Sequence, residues 1–119
     1  MRQLTSHKVN GLNDAISIIV TDARGAGNAN HEYQLDLGEI QDVCHIRFQN
    51  GPIKETGFNG ISNEALLAIV EDRLLGFQQG PYSCRENSLA LTKLQECMQW
   101  LHKRTRDRID RGVEGTHTV

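Results

Sequence analysis

The side chains equipped for chemistry in this 119-residue chain collect in two places. The first is Gly76 to Ser88, GFQQGPYSCRENS, where two turn-formers, two aromatics, an arginine and an asparagine stand between two apolar-periodic runs. A connection that only reverses the chain can be built from Gly, Ser and Asp, so rings and amides here ask for a second use. The second is HKRTRDRIDR, with five Lys or Arg from Lys103 to Arg111 and two Asp. Each group also has a plainer reading. A charged helix end is ordinarily a solvated face that complements the helix dipole, Phe77 continues an apolar stripe as a core residue would, and Asn87 suits the first turn of a capped helix. Cys84 falls at an expected helix start, but no histidine partner marks it as a nucleophile. His7, His31, His45, His102 and His117 show no HxxxH or HxH spacing, and Cys44, Cys84 and Cys97 form no CxxC cluster. No metal site, cofactor or disulfide framework is therefore expected, and the cysteines are expected to be reduced and mostly buried. Hydrolysing a phosphodiester takes a metal or an acid/base constellation, and neither is visible.

With 13 Lys and Arg against 15 Asp and Glu, the net charge of -2 supplies no global basic field to hold a long nucleic acid. Any phosphate must be met by a few placed arginines. The run AISIIV is far too short to cross a bilayer, and MRQLTSHKVNG lacks the apolar core of a signal peptide, so the cytoplasm is the expected location.

The elements that must position these groups change character near Gly60. Before it, DAISIIVTDA is rich in β-branched residues, while EYQLDLG and DVCHIRF alternate, which predicts three strands of a meander joined by RGAGNAN and GEI. GPIKETG, opening on Pro52, fits a fourth short strand at an edge. After Gly60, Leu66, Ile69, Val70, Leu74 and Phe77 recur at helical spacing from a cap at Ser62 or Asn63 to a stop at Gly80 and Pro81. A second helix is expected to open on a capping box of Ser83 and Glu86 and run to about Arg111. Its stripe is Asn87, Leu91, Leu94, Met98, Leu101, Thr105 and Arg108, polar at both ends. The expectation is an α+β chain forming a single domain over 1–119: an antiparallel sheet of three or four strands (about 11–57), an antiparallel two-helix hairpin (about 61–111) and a tail (112–119). The tail either hangs free or adds to a neighbour.

Asn87 and Arg104 are seventeen residues apart on that helix, roughly 25 Å at 1.5 Å per residue. One compact ligand cannot easily reach both within one hairpin, so if both touch it the pocket lies between chains of an oligomer.

The motifs NEALLAIV, GPYSCREN, KRTRDR and GVEGTHTV, together and in this order, resemble the phage anti-defence sponge proteins that share a helical hairpin domain. One branch counters Thoeris immunity and the other CBASS immunity; the β-rich first half is similar to the Thoeris-directed branch. The resemblance covers residues 48 to 119, while residues 12 to 47 match only in character. It implies a binding protein and not an enzyme, one that captures intact the cyclic ADP-ribose isomer (glycocyclic ADP-ribose) made by a TIR-domain enzyme in the infected bacterial cell. Some members assemble as hexamers and hold cyclic di- or trinucleotides at separate sites, so the implied partner set also includes a homo-oligomer, dimer or hexamer. By the motif match, Phe77 stacks on the adenine, Asn87 hydrogen-bonds the ligand and Arg104 meets it from the oligomer interface. Arg24, beside GAGNAN, is offered as a further cation for the pyrophosphate or for stacking. Lys54, in GPIKE, is offered as a cation for a second cyclic-oligonucleotide site.

Overall fold

The structure, a computed structural model, describes residues 1–40 and 42–119, which form two compact units, Met1–Ile61 and Ser62–Val119. The fold class is α+β. In the first unit, strands β1 (Arg2–Leu4), β2 (Ser17–Val20), β3 (Glu32–Asp36) and β4 (Val43–Arg47) form one antiparallel sheet in the order β1-β2-β3-β4. A five-residue helix α1 (Gly11–Ala15) precedes β2, capped by Asn10, whose side chain accepts from the Asn13 N–H. Register gives the sheet two unlike faces. Val20, Tyr33 and Ile46 align in one row, and Ile18, Leu35 and Cys44 lie two residues along on the same face. The intervening positions include Gln34 and His45, so the opposite face is largely polar. Val20 is 1% exposed, and Tyr33 meets Phe48 edge to face with ring centroids 5.7 Å apart.

The meander is as expected, but its fourth strand is the N-terminal β1 and not GPIKETG. Pro52 instead caps a short helix α2 (Ile53–Thr56), where its missing N–H costs nothing because first-turn amides have no helical partner. The segment then returns to the sheet, where Ile61 pairs with Phe48 as an isolated parallel bridge. Gly60 makes that approach possible: a Cβ there would stand 2.4 Å from the Phe48 carbonyl carbon.

The second unit is a hairpin of α3 (Asn63–Gln78) and α4 (Arg85–Asp110). Ser62 caps α3, its Oγ accepting from the Ala65 N–H at 3.0 Å. On α4 the expected stripe is the one observed: Asn87, Leu91, Leu94, Met98, Leu101, Thr105 and Arg108 are half-buried. On α3 the expectation fails in phase. The half-buried positions are Glu64, Leu66, Leu67, Glu71, Leu74 and Gln78. This set is rotated about a quarter turn from the expected stripe at 3.6 residues per turn, and only Leu66 and Leu74 belong to both. Ile69 is left 60% exposed and Val70 42%. One partner helix covers one stripe, and α3 carries more apolar residues than one stripe holds.

The tail is not free. After Gly112, whose φ of +74° ends α4, the chain turns back on the helix end. Arg108 donates to the carbonyls of Val113, Thr116 and Thr118 at 3.0, 2.9 and 2.6 Å, and its Nε lies 3.4 Å from the Glu114 carboxylate. Gly115, buried with φ +81°, lets the hook close.

Candidate functional site

The hairpin tip is built from the ends of both helices and the short connection between them, 79–84. Gln78, the last residue of α3, uses both ends of its amide on one residue: Nε2 donates to the Cys84 carbonyl and Oε1 accepts from the Cys84 N–H, each at 3.1 Å. This paired contact ties the end of one helix to the start of the next. It also changes the expected cap. The N-cap of α4 is Cys84, whose Sγ accepts from the Asn87 N–H at 3.4 Å, and the Ser83–Glu86 capping box does not form. The Gln78 clamp fixes Cys84, so the helix starts one residue later than a Ser83 cap would set it.

Phe77 and Asn87 lie at this same end of the hairpin. Phe77 is 37% exposed and not a core residue. Its ring has the Arg73 guanidinium carbon 5.3 Å from its centroid and the Tyr82 ring 6.4 Å away at 59°. Asn87 is half-buried, its main-chain N–H engaged by the cap. Cys84 is exposed, as are Cys44 and Cys97, against the expectation of buried thiols. Cys44 sits on the outermost strand, Cys84 caps a helix at its solvent end, and Cys97 falls off the seam of α4.

At the far end of α4 the charged run divides by partner. Lys103 pairs with Asp107 at 2.7 Å, and Arg108 is consumed by the hook with its side chain 11% exposed. Arg104 and Arg106 are exposed and make no ion pair or hydrogen bond among the described residues. Asn87 and Arg104 thus share one continuous helix but not one place on it.

Arg24 and Lys54 belong to the first unit. Arg24 is exposed at the start of a loop in which Gly27 and Asn28 take φ +70° and +68°, and its Nη1 donates to the Asn28 carbonyl at 2.9 Å. The loop is held by Asp22, whose Oδ2 accepts from the His31 N–H at 2.9 Å, and by Asn30, which donates to the Asp22 carbonyl and accepts from Arg2. Burial acts to raise the Asp22 carboxyl, but hydrogen bonds from the backbone of His31 and Glu32 and from the Asn30 amide outweigh it and hold its pKa below the ordinary value. Lys54 is exposed on α2, in a segment laced by Gln49, Asn50 and Asn59. Asn50 Oδ1 also accepts from the Ala26 N–H, so the two cations ride on segments stitched together at Asn50.

The groups singled out by type are therefore an accessible ring, a half-buried amide and exposed cations, carried by a four-stranded antiparallel sheet unit and a helical hairpin. The hairpin has a counterpart in a known family. Residues 40–106, more than half of the chain, match the family described as Acb2/Tad1, hairpin domain, and the protein belongs to that family. Over 75 residues it is 54% identical to Thoeris anti-defense 1 of Bacillus phage SBSphiJ7. The match covers 63% of this chain and 53% of that relative, so the chain spans about half the length of the relative it matches.

Arg73 and Gln78 were not singled out from the sequence. Arg73 has a signal in its spacing, four residues before Phe77, whereas the Gln78 clamp depends on a turn geometry that no spacing encodes.

Proposed function

We propose that this protein is an anti-defence sponge: it binds the TIR-derived cyclic ADP-ribose isomer of Thoeris immunity and sequesters it without cleaving it. The observation that carries this reading is the family match over 40–106, which includes both the hairpin tip and Arg104. The relative's name supports the anti-defence role and the Thoeris direction. Chemistry supports the division of labour. A purine on an aromatic face contributes roughly 1–3 kcal/mol, and Phe77 offers an accessible ring. Asn87 supplies both a donor and an acceptor, which discriminates where stacking does not. Arg104, with no ion pair among the described residues, forms a charge-assisted bond to phosphate without first surrendering one of them.

The pocket lies between copies of the chain, with Phe77 and Asn87 from one and Arg104 from another, because about 25 Å of helix separates Asn87 from Arg104. Exposed Ile69, Val70 and Trp100, at 60%, 42% and 71%, supply apolar surface for such a contact. Sequestration is stoichiometric: the sponge must be abundant and must outbind the effector, since free ligand sets effector occupancy. The protein acts where the signal is made, in the cytoplasm of the infected bacterium. Arg24 contributes to the pyrophosphate end, and Lys54 serves a separate site for cyclic di- or trinucleotides.

The test incubates purified protein with the cyclic ADP-ribose isomer, removes free ligand by filtration, then heats the protein and identifies what is released. Intact isomer released only by heat is the expected result. Ligand that passes through the filter, or a cleaved product, would overturn the reading.

A further inference from the structure

Arg73 is a cation that lies over the ring that the sponge reading assigns to the base. Helix-surface neighbours stand three and four residues away, so a carboxylate able to pair with Arg73 along α3 would occupy 69, 70, 76 or 77. Those residues are Ile, Val, Gly and Phe. Arg73 accordingly forms no ion pair among the described residues, and its guanidinium instead lies over Phe77, 5.3 Å from the ring centroid. A cation held on an aromatic face keeps its planar fork of donors available, because the ring takes up charge and no hydrogen bond.

A second observation points the same way. Gly76 sits inside α3, where glycine is a poor helix former, yet no close approach demands it: a Cβ there would meet nothing within 4 Å. The helix surface beside Arg73 and Phe77 is therefore bare backbone facing open space. Bareness of this kind suits a ligand that must come close to the helix.

We propose that Arg73 is a ligand-contacting residue of the hairpin tip, its guanidinium meeting a phosphate of the nucleotide whose base stacks on the open face of Phe77. The inference rests on the nucleotide-sponge reading above and adds to it a cation from the same chain as the stacking ring. Side chains one helical turn apart have Cβ atoms about 5–6 Å from each other, a spacing suited to reading a base and, across its sugar, a phosphate. The arginine fork matches two oxygens of one phosphate, which a lysine at the same position cannot do.

The test titrates the intact cyclic ADP-ribose isomer into wild type, R73Q and R73K by calorimetry at low and high salt, with circular dichroism to follow folding. R73Q is expected to bind about 10- to 100-fold more weakly at low salt, with a smaller deficit at high salt, and R73K to recover part of the loss. Binding by R73Q within twofold of wild type at both salts would overturn the proposal. So would an equal, salt-independent loss in both variants, which would mean that Arg73 only holds the ring. Absence of binding by wild type would sink the sponge reading and this inference with it, and that result precedes any variant.

Discussion

Phe77 separates two roles by their thermodynamic signatures. Truncating a buried phenylalanine costs about 3–5 kcal/mol, but this ring is 37% exposed and touches a cation and a tilted tyrosine. Phe77→Ala is expected to destabilise the hairpin by about 1 kcal/mol or less. The same change should weaken retention of the cyclic ADP-ribose isomer by about 5- to 100-fold, the equivalent of one lost base stack. Thermal melts beside equilibrium dialysis check both halves; a steep fall in Tm with unchanged retention would return Phe77 to the core. The pairing with Arg73 was legible as an arginine and a phenylalanine four apart with no acid in reach. Reading Phe77 as inward-facing hid it, because a core ring leaves no face for a guanidinium.

At the scale of elements, the meander and α4 were legible because one periodicity dominated each: alternation in β3 and β4, and threes and fours along seven stripe positions of α4. The failures share a cause, which is that local pattern does not reveal the partner. Pro52 suits a strand edge and a helix start equally, and the return of the chain to Phe48 selects the helix. Three-residue β1 is too short to show a period and exists through its pairing of Gln3 with Ile19. The return at Gly60 is closely packed on main chain, so Gly60→Ala, which would press a methyl against the Phe48 carbonyl, is expected to cost about 1–3 kcal/mol in denaturant melts. Asp22 gives the same unit an acid limit. Its folded pKa lies below the ordinary 3.8, so its contribution is complete above the unfolded value and is lost as pH falls through the folded one. Asp22→Asn should flatten the fall of stability below about pH 4, and urea melts across that range would show an unaltered slope if the carboxylate were idle.

For the whole molecule, the proposed pocket between chains makes a prediction that no single variant can. Asn87→Ala and Arg104→Ala should each lose retention alone, yet a refolded mixture of the two should regain part of it, because some sites then combine an intact tip with an intact Arg104. A mixture no better than either variant would place the site within one chain. The hook at the end of α4 carries a different kind of consequence. Arg108 grips main-chain oxygens, and every residue type presents the same oxygen, so at Val113 and Thr118 the hook is blind to side-chain identity. Pinned by their own chemistry are Arg108, Glu114, the left-handed glycine at 115 and Thr116, whose Oγ1 donates to the Val113 carbonyl at 2.6 Å and accepts from the Thr118 N–H at 3.3 Å. Substitutions at 113 and 118 can therefore change the surface of this stretch while the main-chain grip of Arg108 keeps its shape.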